Sequence, residues 1–114
     1  MKRGELWTAA GGPPHAGKPR PVLILQDDRF DATGSMTVCP LTTDPTDAPF
    51  MRVPIEPSGE NGLLIESRLM VDKITTLPKT RLGRRIGRLS DTDLRQINQA
   101  VLVFLGLAGS GSRD

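Results

Sequence analysis

The alternation of apolar and polar positions predicts a small β-rich domain that ends in one helix. Over the first two thirds of the chain, short apolar runs alternate with turn-rich gaps, a pattern typical of a small antiparallel barrel or sandwich. Residues 21–25 are apolar on both faces and indicate a central, buried strand, whereas residues 50–55 contain a proline and indicate an edge strand. Further strands are predicted at residues 5–8, 36–40, 63–65, 68–71 and 84–89.

The final helix has the clearest sequence signals. Ser90 is a favourable N-cap, and the carboxylates of Asp91 and Asp93 complement the positive end of the helix dipole. Gly106 is placed to end the helix. One face of the predicted helix is apolar and is expected to pack on the sheet: Leu94, Ile97, Val101, Phe104 and Leu105.

Length and composition indicate one ordinary globular domain. The chain has 114 residues, of which 37% are hydrophobic and 25% are charged. These values suit a single domain over residues 1–108 with a flexible tail at residues 109–114. No apolar run approaches the roughly 20 residues that a membrane helix needs. No signal-peptide core follows the N-terminus, so the predicted location is the cytoplasm.

Several familiar catalytic sites have no support in the sequence. Cys39 is the only cysteine, so it is expected to be a small apolar filler, with a reactive nucleophile as the alternative. His15 is the only histidine, which excludes a two-histidine ribonuclease. The prediction is that the protein uses no metal and no cofactor. A magnesium site made by loop acids is the alternative, and its candidate ligands are Asp27, Asp28 and Asp44.

Basic residues are concentrated in one segment although the net charge is only +2. This basic stripe consists of Lys79, Arg81, Arg84, Arg85 and Arg88, with no acid among them. Such a stripe suits a phosphate backbone. A solvated strand face is the alternative interpretation.

Arginine and threonine side chains at strand ends offer a different kind of site. RNA can be cut by its own 2′-hydroxyl, provided that the protein stabilises charge on the phosphate, and a guanidinium matches phosphate geometry. Arg20 stands between two prolines at the start of the central strand, and Thr42 and Thr43 follow another strand. Taken singly, Arg20 also fits a surface salt bridge, and the threonines also fit turn capping.

Five short motifs, in this order and spacing, are similar to those of the MazF/PemK family of toxins from bacterial toxin–antitoxin pairs. The motifs lie at residues 3–7 (Arg-Gly-Glu-Leu-Trp), 20–24 (Arg-Pro-Val-Leu-Ile), 38–43 (Val-Cys-Pro-Leu-Thr-Thr), 67–74 and 81–90. The resemblance covers nearly the whole chain. It implies an SH3-like antiparallel β-barrel with a C-terminal helix, which forms a homodimer and binds a cognate antitoxin.

The resemblance also implies an activity and its residues. The expected reaction is metal-independent cleavage of single-stranded RNA at a short sequence, leaving a 2′,3′-cyclic phosphate and a 5′-hydroxyl. Arg20 and Thr42 correspond to the catalytic pair of the family, and Ser67 corresponds to a position that contacts RNA. Further RNA contacts are predicted at His15, Lys18, Thr43 and Lys73.

This chain departs from the family pattern at two places. Lys73 stands where the family often has a glutamine. The loop at residues 12–17 replaces a Gly-Ser-Glu-Gln-like segment that helps to choose the cut site, so the recognised RNA sequence is not carried over. His15 lies in this loop and is a candidate for proton transfer, with an exposed loop histidine as the alternative.

Two other functions remain as alternatives. One is a non-enzymatic toxin of the gyrase-inhibiting kind, and the other is a barrel that binds nucleic acid without cutting it. The basic stripe is compatible with contact to RNA or to the antitoxin.

Overall fold

Seven strands and one α-helix account for most of the described chain. The computed structural model describes residues 1–10, 19–45 and 51–108. The strands are β1 (Glu5–Ala9), β2 (Arg20–Ile24), β3 (Ser35–Thr42), β4 (Arg52–Ile55), β5 (Ser67–Met70), β6 (Thr75–Pro78) and β7 (Leu82–Arg88), and the helix is α1 (Asp91–Phe104). Short 3₁₀ helices occupy Asp28–Phe30, Val71–Lys73 and Lys79–Arg81.

The strands form one antiparallel sheet in the order β4-β5-β3-β2-β1-β7, and β6 pairs with the first half of β3. The mainly β fold with a C-terminal helix is therefore confirmed, as are the central position of β2 and the edge position of β4. Among the described residues, β7 does not pair with β4, so the sheet stays open where a closed barrel was expected. Along one edge of β3, residues 35–38 pair with β6, and Leu41 and Thr42 pair with β5.

Side chains on the two faces of the sheet pack into two apolar clusters. Since side chains alternate along a strand, Leu23 and Cys39 lie in the cluster on the helix side, and Val22 and Val38 lie in the other cluster. The cluster on the helix side contains Leu6, Leu23, Cys39, Leu41, Ile55, Leu63, Leu69, Leu89 and Ile97. Burial on both faces explains why residues 21–25 are continuously apolar.

Helix α1 begins as the sequence predicts, because the Ser90 hydroxyl accepts a hydrogen bond from the Asp93 N–H at 3.1 Å. Its contacts with the apolar cluster come from Leu94, Ile97 and Val101. The prediction that Phe104 and Leu105 also face the core is wrong, since they are 44% and 56% exposed. The helix packs near β4 and the 3₁₀ helix Val71–Lys73, and the apolar side chains of its last turn are exposed. No helix in the described ranges is long and apolar enough to cross a membrane.

Residues 63–65 do not form the predicted strand, and Leu64 and Ile65 lie in a bend. The buried Asn61 carboxamide organises this turn, accepting hydrogen bonds from the Ser58 and Leu63 N–H groups and donating one to the Glu56 carbonyl. These bonds take up backbone groups that a strand ladder would otherwise use. Leu64 is consequently 94% exposed at the surface.

Candidate active site

The register between β2 and β3 sets the position of Arg20 relative to Thr42. Val22 pairs with Pro40 in this antiparallel ladder, so continuing the same register by two residues brings Arg20 opposite Thr42. Directly opposed residues in such a ladder have Cβ atoms roughly 4.5–5.5 Å apart. Arg20 and Thr42 therefore form a polar pair at the end of the sheet. Their side chains lie on the same face of the sheet as that of Val22.

A cavity of about 310 Å³ lies at this end of the sheet, and we call it the Arg20 cavity. Its lining residues are Pro19, Arg20, Pro21, Leu41, Thr42, Thr43 and Ser67. Four residues that the sequence analysis selected thus share one cavity. Among the described residues of the lining, Arg20 is the only charged one and three side chains bring hydroxyl groups, so the cavity suits an anion.

The hydrogen bonds of the hydroxyl groups indicate what each can offer to a ligand. The Thr42 Oγ1 accepts a hydrogen bond from the Asp44 N–H at 3.1 Å, which fixes the side chain and leaves its own proton available for donation. This is also the turn-capping contact that was the alternative interpretation. The buried Ser67 hydroxyl donates to the Ile65 carbonyl at 3.1 Å, so its oxygen remains available as an acceptor.

Arg20 is exposed, and none of the described residues accepts a hydrogen bond from its guanidinium or forms a salt bridge with it. The surface salt bridge that was its alternative interpretation is thus not found in the described part of the chain. No described acceptor is bonded to any of the five N–H groups of the guanidinium, an arrangement that suits an external phosphate.

The structure does not bring the other predicted RNA contacts into the described lining of the Arg20 cavity. Lys73 is exposed in the 3₁₀ helix Val71–Lys73 and is not part of the cavity lining. His15 and Lys18 lie outside the described residues. The roles of these three residues remain predictions.

The loop acids proposed for magnesium have other contacts. Asp27 caps the 3₁₀ helix Asp28–Phe30 and forms a salt bridge with Arg29 at 3.1 Å. Asp28 accepts a hydrogen bond from the Arg3 N–H at 2.8 Å. Within the described ranges, no group of three or more His, Cys, Asp or Glu residues is arranged to hold a metal ion.

Cys39 has the features of a packing residue. It is fully buried, and its thiol donates to the Met70 carbonyl at 3.4 Å. Burial, and secondarily the negative charge of Asp72, raise the pKa of the Cys39 thiol to about 12. The thiol is therefore protonated at neutral pH, which favours the apolar-filler interpretation over the nucleophile.

A second depression adjoins the Arg20 cavity, and we call it the Arg84 groove. The two share Pro19, Pro21, Thr43 and Ser67, and the groove adds Thr8, Gly62, Leu63, Leu64, Ile65, Arg84 and Ile86. Sequence reasoning missed the wall made by Leu64 and Ile65, because three consecutive apolar residues were interpreted as a strand. The preceding Asn-Gly pair, a common turn signal, was the cue to a different backbone path.

Comparisons with known sequences find similar proteins in one toxin family. The model of a family described as PemK-like, MazF-like toxins of type II toxin–antitoxin systems matches residues 2–105. The chain is 56% identical over 109 residues to a probable endoribonuclease MazF of Mycolicibacterium smegmatis, covering 96% of this chain and 100% of that protein. It is 36% identical to a probable endoribonuclease MazF2 of Mycobacterium tuberculosis, with coverage of 93% and 99%.

Comparison with solved structures finds a similar fold in an endoribonuclease and in a toxin. An endoribonuclease in complex with its cognate antitoxin from mycobacterial species superposes with a TM-score of 0.77 at 28% identity, covering 94% of this chain and 96% of that chain. The Mycobacterium tuberculosis toxin MazF-mt6 superposes with a TM-score of 0.76 at 29% identity, with coverage of 90% and 97%.

Proposed function

The chain belongs to the family of PemK-like, MazF-like toxins of type II toxin–antitoxin systems, and we propose that it is an endoribonuclease that cuts single-stranded RNA at a short sequence without a metal ion. The endoribonuclease names of its relatives support the activity. The observation that carries the chemistry is that Arg20 and Thr42 line one cavity, in which Arg20 is the only charged residue among those that the structure describes.

The reaction we propose is a transesterification within the RNA. The 2′-oxygen forms a bond to phosphorus while the bond from phosphorus to the 5′-oxygen breaks, which leaves a 2′,3′-cyclic phosphate and a 5′-hydroxyl. Arg20 binds two phosphate oxygens and stabilises the charge that grows on them. The Thr42 hydroxyl donates a hydrogen bond to a phosphate oxygen, while the hydrogen bond from the Asp44 N–H holds the Thr42 Oγ1 in place.

Two protons must also move in this reaction. The 2′-hydroxyl gives up one proton to a base, and the departing 5′-oxygen receives one. An imidazole has an ordinary pKa close to neutrality and suits such transfers. His15 is the one histidine of the chain, five positions before Arg20, and we assign it to one of these two transfers, with solvent water exchanging the other proton.

The proposal includes partners and a location. We propose a cytoplasmic homodimer that a cognate antitoxin neutralises, and the antitoxin complex of a mycobacterial endoribonuclease with the same fold supports the antitoxin. Such an antitoxin segment is expected to be disordered when free and to fold on the toxin.

The test is to incubate the purified chain with a mixed pool of single-stranded RNA in excess chelator and to map the new ends. We expect cuts at a short recurring sequence, with 5′-hydroxyl ends that ligate only after phosphorylation. Cleavage that stops when divalent ions are removed would contradict the metal-independent mechanism. Salt-sensitive RNA binding without product would favour a binding barrel, and arrested supercoiling with intact RNA would favour a gyrase inhibitor.

A further inference from the structure

The basic stripe does not form one continuous charged surface. Four of its five residues have a partner within the protein. The partners are Asp31 for Lys79, the Ala10 carbonyl for Arg81, Glu5 for Arg85 and Asp91 for Arg88. Among the described residues, none accepts a hydrogen bond from the Arg84 side chain or forms a salt bridge with it. Arg84 is thus the member of the stripe that is available to a ligand.

Arg84 and Arg85 are neighbours in β7 but line different cavities. The pairing with β1 shifts register between Trp7 and Ala9, so that Thr8 faces two residues of β7. The Thr8 Oγ1 accepts a hydrogen bond from the Arg84 N–H at 3.0 Å, which fixes the bulge. Because consecutive side chains of a strand point to opposite faces of the sheet, Arg84 and Ile86 line the Arg84 groove, whereas Arg85 lines a different cavity together with Glu5.

The opposite wall of the groove is apolar and exposed. Leu64 is 94% exposed and Ile65 is 58% exposed, although both are large aliphatic residues. The turn that carries them is attached to β7, because the Arg88 N–H donates to the Glu60 carbonyl at 2.9 Å. Gly87 allows this close approach, since a Cβ there would lie 2.3 Å from the Asn61 backbone. The apolar wall and Arg84 are therefore held on one scaffold.

We propose that the Arg84 groove binds the nucleotide next to the one that is cut, with Arg84 on a neighbouring phosphate and the Leu64–Ile65 wall against a base. This inference rests on the proposed function, because it extends the substrate from the Arg20 cavity along a continuous surface. Pro19, Pro21, Thr43 and Ser67 line both depressions. Arg84 is the only charged residue among the described residues that line the groove, so the groove favours a second anion over a cation.

The test measures a change in binding that is specific to one phosphate. The probe is a single-stranded RNA oligonucleotide containing the site cut by the wild-type protein, with a 2′-deoxy nucleotide at that site to prevent cleavage. Two further probes carry a neutral methylphosphonate at the phosphate on the 5′ or the 3′ side of the scissile one. Arg84→Gln should weaken binding of the fully charged probe about tenfold, as expected for one charged hydrogen-bonding contact. It should also lower the salt dependence by about 0.7 in log–log slope.

The double-mutant comparison identifies the contact. Neutralising one of the two neighbouring phosphates should weaken binding to the wild-type protein but cause no further loss in Arg84→Gln. Because the contact is the same before and during the reaction, KM should rise with kcat nearly unchanged. Arg85→Gln is the matched control, because the Arg85 guanidinium donates to Glu5 in a different cavity, and it should leave KM and the slope unchanged.

Different failures lead to different conclusions. If the wild-type protein cuts RNA but Arg84→Gln binds all probes as tightly as the wild type, the inference is wrong and the proposed function stands. If Arg84→Gln loses antitoxin affinity while RNA binding is unchanged, the groove belongs to the antitoxin and the inference is again wrong. If the wild-type protein does not cut RNA, both fall.

Discussion

The Arg20 cavity and the C-terminal end of α1 both lie outside the hydrophobic core, and they differ in what fixes their side chains. At the cavity, neighbouring strands hold Arg20 and Thr42 in register, and hydrogen bonds to backbone groups hold the hydroxyls. At the end of α1, several large apolar side chains are exposed. They are Leu102, Val103, Phe104 and Leu105, with exposures of 40 to 56%.

This difference shows why a sheet end is the better place for chemistry. A ladder fixes both the distance and the direction of side chains that come from separate parts of the sequence. The last turn of a helix fixes its side chains only relative to the helix axis, and not relative to residues of other elements. Substitutions in the cavity are therefore expected to affect catalysis with little effect on folding, and substitutions at the helix end are expected to affect neither strongly.

The largest expected effect is that of Arg20→Ala on catalysis. Removing one preorganised donor to a developing anion costs about 10²- to 10³-fold in kcat. Folding should be unaffected, with the free energy of unfolding within about 0.5 kcal/mol of the wild type, because the side chain is exposed. Urea denaturation and RNA cleavage rates measured on the same preparations check both parts.

Arg20→Lys is the matched control for this prediction. It keeps the positive charge but loses the planar pair of donors, so its activity should lie between those of the wild type and Arg20→Ala. An Arg20→Ala protein that cuts RNA at the parental rate would remove Arg20 from the catalytic pair. It would also end the contrast between the two regions.

Removal of the Thr42 hydroxyl should have a smaller effect. Thr42→Val keeps the shape of the side chain but loses the donor to the phosphate, and one hydrogen bond to a charged group corresponds to about 10- to 100-fold in kcat. Thr42→Ser retains the hydroxyl and should stay within a few-fold of the wild type. Single-turnover cleavage rates distinguish the two. Equal rates for Thr42→Val and Thr42→Ser would mean that the hydroxyl only caps the turn at Asp44.

Most of the fold was readable from the sequence, because its signals are local. The continuous apolar run at 21–25 predicted the central strand, and Ser90 predicted the start of α1, which the structure confirms. The strand predicted at 63–65 failed because Asn61 redirects the backbone through its own side-chain hydrogen bonds. That competition depends on where Asn61 is buried, which apolarity alone does not reveal.

The site was only partly readable for a related reason. Residue types and motif order selected Arg20 and Thr42, but their proximity depends on the register of β2 with β3, a non-local property. For the same reason, the sequence did not reveal that Arg84 is the member of the basic stripe with no described side-chain partner. Three of its four neighbours in the basic stripe have partners at distant sequence positions, namely Glu5, Ala10 and Asp31.

The smallest expected effect is that of Phe104→Ala combined with Leu105→Ala. Alanine preserves helix propensity, and both side chains are largely exposed, so the free energy of unfolding should change by no more than about 0.5 kcal/mol. Ile97→Ala on the same helix is the control, and it should cost about 2–5 kcal/mol because Ile97 is fully buried. Urea denaturation at two protein concentrations measures both. A loss in the double variant that changes with protein concentration would contradict this expectation and place the helix end in an interface between copies of the chain.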